Sequence, residues 1–317
     1  MPIWYDPLGL ALGVALDRLL ADPQSSAHPV ALFGRAAGRL EKSLYADGRP
    51  SGVLHVAVCV GGVAALGVLA VRKAGNPVAR TAMTAVATWA VLGGTTLARE
   101  GDHMADALEH DDLERARARL PHLCGRDPRH LEAPELARAT VESLAENTSD
   151  AVVAPLFWGA VAGVPGLLAY RAINTLDAMI GHRSPRYERF GWAAARLDDV
   201  ANYVPARVTG VLTVLTGPDP ERARAVLRRD GHRHPSPNAG RCESAFAGAL
   251  GVTLGGRNVY GGRTEERPTM GDGPRPDVKD IRRAVRLTRA VSLAAAGAAV
   301  ATAWALRALR GTAAASR

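Results

Sequence analysis

The run Val141-Glu-Ser-Leu-Ala-Glu-Asn-Thr-Ser-Asp150, continued by Ala151-Val-Val-Ala-Pro-Leu-Phe-Trp-Gly-Ala-Val-Ala-Gly-Val-Pro-Gly-Leu-Leu-Ala-Tyr170, decides the fold class of this 317-residue chain. The stretch Ala151–Tyr170 carries no Asp, Glu, Lys or Arg. At about 1.5 Å per helical residue it is long enough to cross a hydrocarbon core of about 30 Å. Glu142, Glu146, Asn147 and Asp150 crowd one end of it, and Asn174 and Asp177 follow the other. Carboxylates beside an apolar segment are costly unless they serve a purpose. Hard oxygen ligands in such numbers suit Mg²⁺ and, through it, phosphate. The stretch reads as part of an enzyme in or against a membrane.

Working outward, Val53–Val71, Thr81–Ala98 and Ala290–Leu306 are also free of charge, and each approaches the length of a span. Buried helices of an Ala-rich soluble bundle are the alternative; four such runs in one chain favour the membrane. A tight hairpin joins the first two through Arg72–Arg80, and a shorter apolar run lies near Val204–Thr216. Before them, Leu8–Leu20 reads as a short apolar helix ending at the turn Asp22-Pro23. His28-Pro29, with His28 in a structural role, then opens an amphipathic helix over Val30–Leu44. Residues 99–150 and 217–288 are polar. Alternating strand patterns are nearly absent and no repeat appears. The expected fold is an all-α, polytopic integral membrane helical bundle with polar, partly helical cytoplasmic segments, one membrane-integrated domain over 1–317.

The net charge of +8 is carried mainly by arginine, clustered at Arg222–Arg233 and Lys279–Arg289. Such clusters suit anionic lipid or phosphate-bearing substrates. No nucleic-acid-binding motif accompanies them. Lys and Arg in the polar segments favour the cytoplasmic side for these, in a multi-pass protein of the cell membrane. Cys59, Cys124 and Cys242 lie too far apart for a zinc or disulfide framework. The N-terminus lacks the basic region of a cleavable signal. If Ala151–Tyr170 crossed fully, Glu142–Asp150 and Asn174–Asp177 would face opposite sides. A site using both requires this segment to bend or re-enter, which Pro155, Gly159, Gly163, Pro165 and Gly166 permit.

Glu142, Glu146 and Asp150 recur at helical spacing and predict one acidic stripe. Like charges so spaced repel unless a cation sits among them, although a solvated face has the same spacing. Asn174 and Asp177 share a face, as do Asp198, Asp199 and Asn202. Capping is the simpler use of such residues; two Asp/Asn clusters flanking one connection predict a metal–phosphate site. His234-Pro-Ser-Pro-Asn-Ala-Gly240 predicts a rigid turn feeding a helix, with freed N–H groups for capping or for an anion. Gly255-Gly256 and Gly261-Gly262 suggest close backbone approach to a ligand. No GxxxxGK[ST] is present, so nucleotide binding would not be of the P-loop kind.

Several of these motifs run in order along nearly the whole chain. They include Glu142-Ser-Leu-Ala-Glu146-Asn-Thr-Ser-Asp150, Tyr170-Arg-Ala-Ile-Asn174-Thr-Leu-Asp177, Ala195-Arg-Leu-Asp198-Asp199-Val-Ala-Asn202-Tyr-Val-Pro-Ala-Arg207 and Ser236-Pro-Asn-Ala-Gly240. Together they resemble the adenosylcobinamide-phosphate synthase family of cobalamin biosynthesis; the tail after Gly262 matches least. The resemblance implies a membrane ligase that joins adenosylcobyric acid to (R)-1-amino-2-propanol or its O-phosphate. ATP as co-substrate and Mg²⁺ are expected, because a carboxylate does not condense with an amine unaided, and other corrinoid-pathway proteins are conceivable partners. On these positions residue chemistry suggests roles. Asp177, Asp198 and Asp199, with Asp150, would hold Mg²⁺-phosphate, and Glu142 or Glu146 would act as base or second ligand. Asn147, Asn174, Asn202 and Arg207 would orient substrate, while Ser236, Asn238 and Gly240 would cradle phosphate. The rival readings are a Mg²⁺-dependent transferase of diphosphate-linked lipids, which needs no ATP, a transporter, which makes no covalent product, and a corrinoid-binding scaffold.

Overall fold

The computed structural model describes residues 4–22, 27–182, 184–260 and 263–315. Pro23 of the first turn and Gly261-Gly262 lie outside the described residues. In chain order come α1 (Pro7–Leu20), α2 (Pro29–Leu44), α3 (Arg49–Lys73), α4 (Pro77–Val91), α5 (Gly94–Glu109), α6 (Leu113–Arg119) and α7 (Ala133–Thr148). A π turn at Ser149–Val153 leads into α8 (Ala154–Leu176), and another at Asp177–Gly181 leads out of it to α9 (Tyr187–Phe190) and α10 (Trp192–Ala201). Then follow α11 (Tyr203–Thr216), α12 (Pro220–Asp230), α13 (Ala239–Leu250), β1 (Leu254–Tyr260), β2 (Arg263–Met270) and α14 (Val278–Ala315).

Helical stretches at Arg49–Lys73, Pro77–Glu109, Ala133–Gly181 and Val278–Arg310 are long and apolar enough to cross a membrane. Only 22% of the apolar window of α3 and 28% of that of α14 is buried, which removes the soluble-bundle alternative for them. Val53, Leu54, Val58, Leu66 and Leu69 of α3 are all exposed, as a lipid-facing helix requires. Two expected spans are modified. Extended Leu92 separates α4 from α5, so the run 81–98 is not one unbroken helix. The run at 204–216 forms a helix of 14 residues, too short to cross; Asp219 and Pro220 start the next helix directly after it.

The chain forms two compact units. The first comprises Met1–Gly93, Ala154–Asn202 and Ala296–Arg317. Here α1 packs on α4 and α3 on α8, around a core of Val56, Cys59, Leu176, Ile180, Phe190 and Ala194. The expected bend in α8 falls at Gly163, with φ 64 and ψ −151. A Cβ there would collide with the carbonyl of Trp4 and would be strained at that φ, so only glycine fits. His28 is structural: Nε2 meets Asp22 Oδ1 at 3.0 Å and Nδ1 caps α2 by accepting the Val30 N–H.

The second unit comprises Gly94–Val153 and Tyr203–Ala295. Its centre is α13, buried at every position except Arg241 and packed on α7, α11 and α12. The β1–β2 hairpin, antiparallel with Leu254 opposite Met270, was not legible in the sequence. Its glycines and arginines mask the alternation, and the α7 side chains Arg138 and Glu142 hold its backbone. Asp230 ties the unit together through Arg229 at 2.7 Å, Arg233 at 3.3 Å and the Gly271 N–H at 2.9 Å. Those partners, Arg229 first, hold its carboxyl down at about 2 against an ordinary 3.8. A depressed carboxyl contributes stability that is complete above the unfolded value and lost as pH falls toward the folded one. Because the arginines are half exposed, we expect Asp230→Asn to cost only about 1–2 kcal/mol at pH 7. In melts against pH, that gap should close between about 4 and 2.

Candidate active site

In the second unit, α7 carries Glu142 and Glu146 one turn apart. Asp150 follows within the π turn at Ser149–Val153, and its charge bears on Cys242 of α13 together with those of Glu146 and Glu243. Glu142 is buried, with both oxygens engaged. It accepts from Arg126 at 2.6 Å, from Arg138 at 3.2 Å and from the Gly255 N–H at 2.7 Å. Arg138 also donates to the carbonyls of Gly255 and Arg257, both at 2.8 Å, so this trio clamps β1 onto α7. With both oxygens engaged by two arginines and a backbone N–H, Glu142 suits positioning better than proton transfer. Glu146 is exposed. Asn147 donates to the Leu123 carbonyl at 3.0 Å and fastens the preceding loop.

The turn before α13 contributes the group that sequence reasoning missed. Ser236 Oγ accepts the N–H groups of Asn238 and Ala239 at 3.3 and 3.2 Å, so capping occupies two of the donors expected to cradle phosphate. Gly240 is required for a different reason: a Cβ there would press on the His234 side chain. His234 Nδ1 accepts the Ser236 N–H at 3.0 Å, which leaves the ring proton on Nε2. That Nε2 lies 3.8 Å from Glu243 Oε1, beyond hydrogen-bond reach. Neither it nor either Glu243 oxygen has a hydrogen-bond partner among the described residues, although Glu243 is 1% exposed. Burial, then Arg267, lowers His234 to about 4 and keeps it neutral. Burial, then the charges of Glu142 and Glu146, pushes Glu243 well above the carboxylate range and keeps it protonated. Two proton carriers thus stand side by side without partners, at a cost that calls for a function.

In the first unit, Tyr170 Oη donates to Asn202 Oδ1 at 2.9 Å, and Asn202 Nδ2 donates to Asp198 Oδ2 at 2.9 Å. Asn174 adds a second carboxamide to Asp198, and Asp177, first residue of the second π turn, adds a like charge. Burial and then Asp177 raise Asp198 to about 7. Its Oδ1 is buried without a partner among the described residues. Asn174, Asp177, Asp198 and Asn202 are therefore brought together as expected. Asp199 turns instead to the exposed Arg196 on its own helix at 3.4 Å. Arg207, on α11 of the second unit, donates to the Tyr203 carbonyl at 2.6 Å and lies over the Tyr203 ring at 3.4 Å. Among the described residues no three His, Cys, Asp or Glu side chains form a ready metal cage. Mg²⁺ does not require one, taking one or two carboxylates with water and substrate phosphates. The orphaned Asp198 oxygen beside Asp177 fits that use.

These features define an integral membrane protein whose helices carry two buried, charge-dense polar clusters. It belongs to the CobD/CbiB family, whose model, described as CobD/Cbib protein, matches residues 10–288. A cobalamin biosynthesis protein CobD of Mycobacterium bovis is 56% identical over 305 residues, 94% of this chain and 96% of the relative. Proteins of the same description from Geobacter metallireducens and Rhodobacter capsulatus are 44% and 43% identical, over 86% and 88% of this chain and 89% and 92% of theirs. No solved structure matches the chain significantly.

Proposed function

We propose that this protein is an adenosylcobinamide-phosphate synthase, a multi-pass enzyme of the cell membrane with its site on the cytoplasmic side. It would join adenosylcobyric acid to aminopropanol or its phosphate at the expense of ATP. The observation that carries the chemistry is the unpartnered pair His234 and Glu243 beside Glu146. The corrinoid carboxylate attacks the terminal phosphate of ATP, giving an acyl phosphate and ADP. The amine then attacks the acyl carbon, forming the C–N bond and expelling phosphate. Glu146, the exposed carboxylate, takes the amine proton, and Glu243, held as the acid, returns one to the departing phosphate. The His234 Nε2–H steadies the oxygen on which charge develops. Arg126 and Arg267 keep the surroundings cationic. Separately, in the first unit, Asp198 and Asp177 with Asn174 and Asn202 around them would hold Mg²⁺, whose charge suits phosphate.

The test is an assay of detergent-purified protein with adenosylcobyric acid, aminopropanol phosphate, ATP and Mg²⁺. Mass spectrometry detects the amide and a parallel assay counts ADP. Amide and ADP in a ratio of one to one are expected. Amide formed without ATP consumption would refute the ligase, and corrinoid binding without turnover would leave a scaffold.

A further inference from the structure

A second site, independent of this chemistry, lies in the second unit. It is a cavity of about 320 Å³ whose lining includes Thr216, Leu250, Arg283, Arg286, Leu287 and Ala290. Two polar–apolar borders meet there: the apolar run of α11 ends at Thr216, and the charge-free part of α14 begins at Ala290. Arg283 and Arg286 stand on the polar side of the border. Arg286 is exposed and has no acidic partner within salt-bridge distance among the described residues. Arg283 gives one arm to the buried Asp280 at 2.6 Å and keeps its other donors. Arg222 lays its guanidinium beside Gly251, next to Leu250. The acids nearest in sequence are Asp280, engaged by Arg283, Asp219, which caps α12 through the Arg222 N–H, and Glu221 beside Arg222. On the other side the surface is greasy: Leu215 is 71% exposed, and Leu293, one turn beyond Ala290, is 56% exposed.

A soluble phosphate would use the arginines but leave the leucines in water. A neutral lipid would do the reverse. We propose that this pocket is a specific site for an anionic phospholipid, its headgroup phosphate between Arg283 and Arg286 and its acyl chains along Leu215 and Leu293. Guanidinium groups suit a phosphate through paired N–H donors, and basic pockets at helix ends recur as headgroup sites.

The test uses the full chain in nanodiscs of phosphatidylcholine and phosphatidylglycerol, with retained lipid counted by native mass spectrometry. Wild type is expected to keep phosphatidylglycerol over phosphatidylcholine, and Arg286→Gln to weaken that retention roughly fivefold or more. Arg286 is exposed and unpaired, so the variant should fold, and Arg286→Glu should sharpen the loss. Equal retention of the two lipids, or retention in the variants matching wild type, would overturn the proposal. Displacement by millimolar inorganic phosphate would reassign the pocket to a soluble anion and overturn the lipid.

Discussion

Glu243→Gln is expected to leave a folded, corrinoid-binding protein that forms amide at least about a hundredfold more slowly, the usual scale for loss of a positioned proton donor. Glutamine reproduces the shape and neutrality of the protonated acid, so the packing of α13 has no reason to change. What it lacks is a transferable proton. Stability moves the other way. Glu243 has a folded value raised above its ordinary 4.5, so above that pH the unfolded chain loses its proton while the fold retains one. The wild-type melting temperature should therefore fall behind that of Glu243→Gln as pH climbs past about 4.5. A purely structural acid would give equal turnover in both proteins. His234 supplies a control: held neutral down to about 4, it should show no titration near its ordinary 6.5 in ring NMR, and its Nε2–H tautomer should persist. Turnover in Glu243→Gln equal to wild type would remove the pair from the reaction.

The spans were legible because charge-free runs of membrane length are a one-dimensional signal; α3 follows its run closely, and α14 contains its run within a longer helix. The Asn174–Asp177 and Asp198–Asn202 groups were legible for the same reason, since residues a turn apart share a face wherever the helix goes. Glu243 left a fainter trace: it is the one acid in Cys242–Leu250, a helix otherwise of apolar and small residues. A lone carboxylate in such company is a candidate for a buried functional acid, and that signal was available. The engagement of Glu142 was not. Its partners Arg126 and Gly255 lie 16 and 113 positions away, and only the packed hairpin reveals that both its oxygens are engaged. The π turns were equally hidden. Nothing in Ser149–Val153 or Asp177–Gly181 announces a widened turn, yet each contains one of the expected acids. Pattern located the segments proposed to act; tertiary packing decides which of their side chains are already engaged.

Asp198→Asn should produce a loss of turnover of at least about a hundredfold, the scale for removing one preorganised electrostatic group. Asp199→Asn should cost far less, although both residues sat equally well in the expected metal set. The structure separates them: Asp198 faces Asn174, Asn202 and Asp177 with a buried free oxygen, whereas Asp199 pairs with an exposed arginine. The sign of the stability change tests why. An aspartate raised from 3.8 to about 7 weakens the fold as pH climbs through that window, because the unfolded chain ionises first. Asp198→Asn should therefore melt higher than wild type at pH 8 without added metal, and the advantage should vanish below about 4. Added Mg²⁺ should raise the wild-type melting temperature through binding to the native state, and that gain should be absent in Asp198→Asn. A site residue kept at the expense of stability predicts this opposition between turnover and melting temperature. If the variant were both less active and less stable, with its Mg²⁺ shift intact, Asp198 would be a structural carboxylate and the metal would have to bind elsewhere.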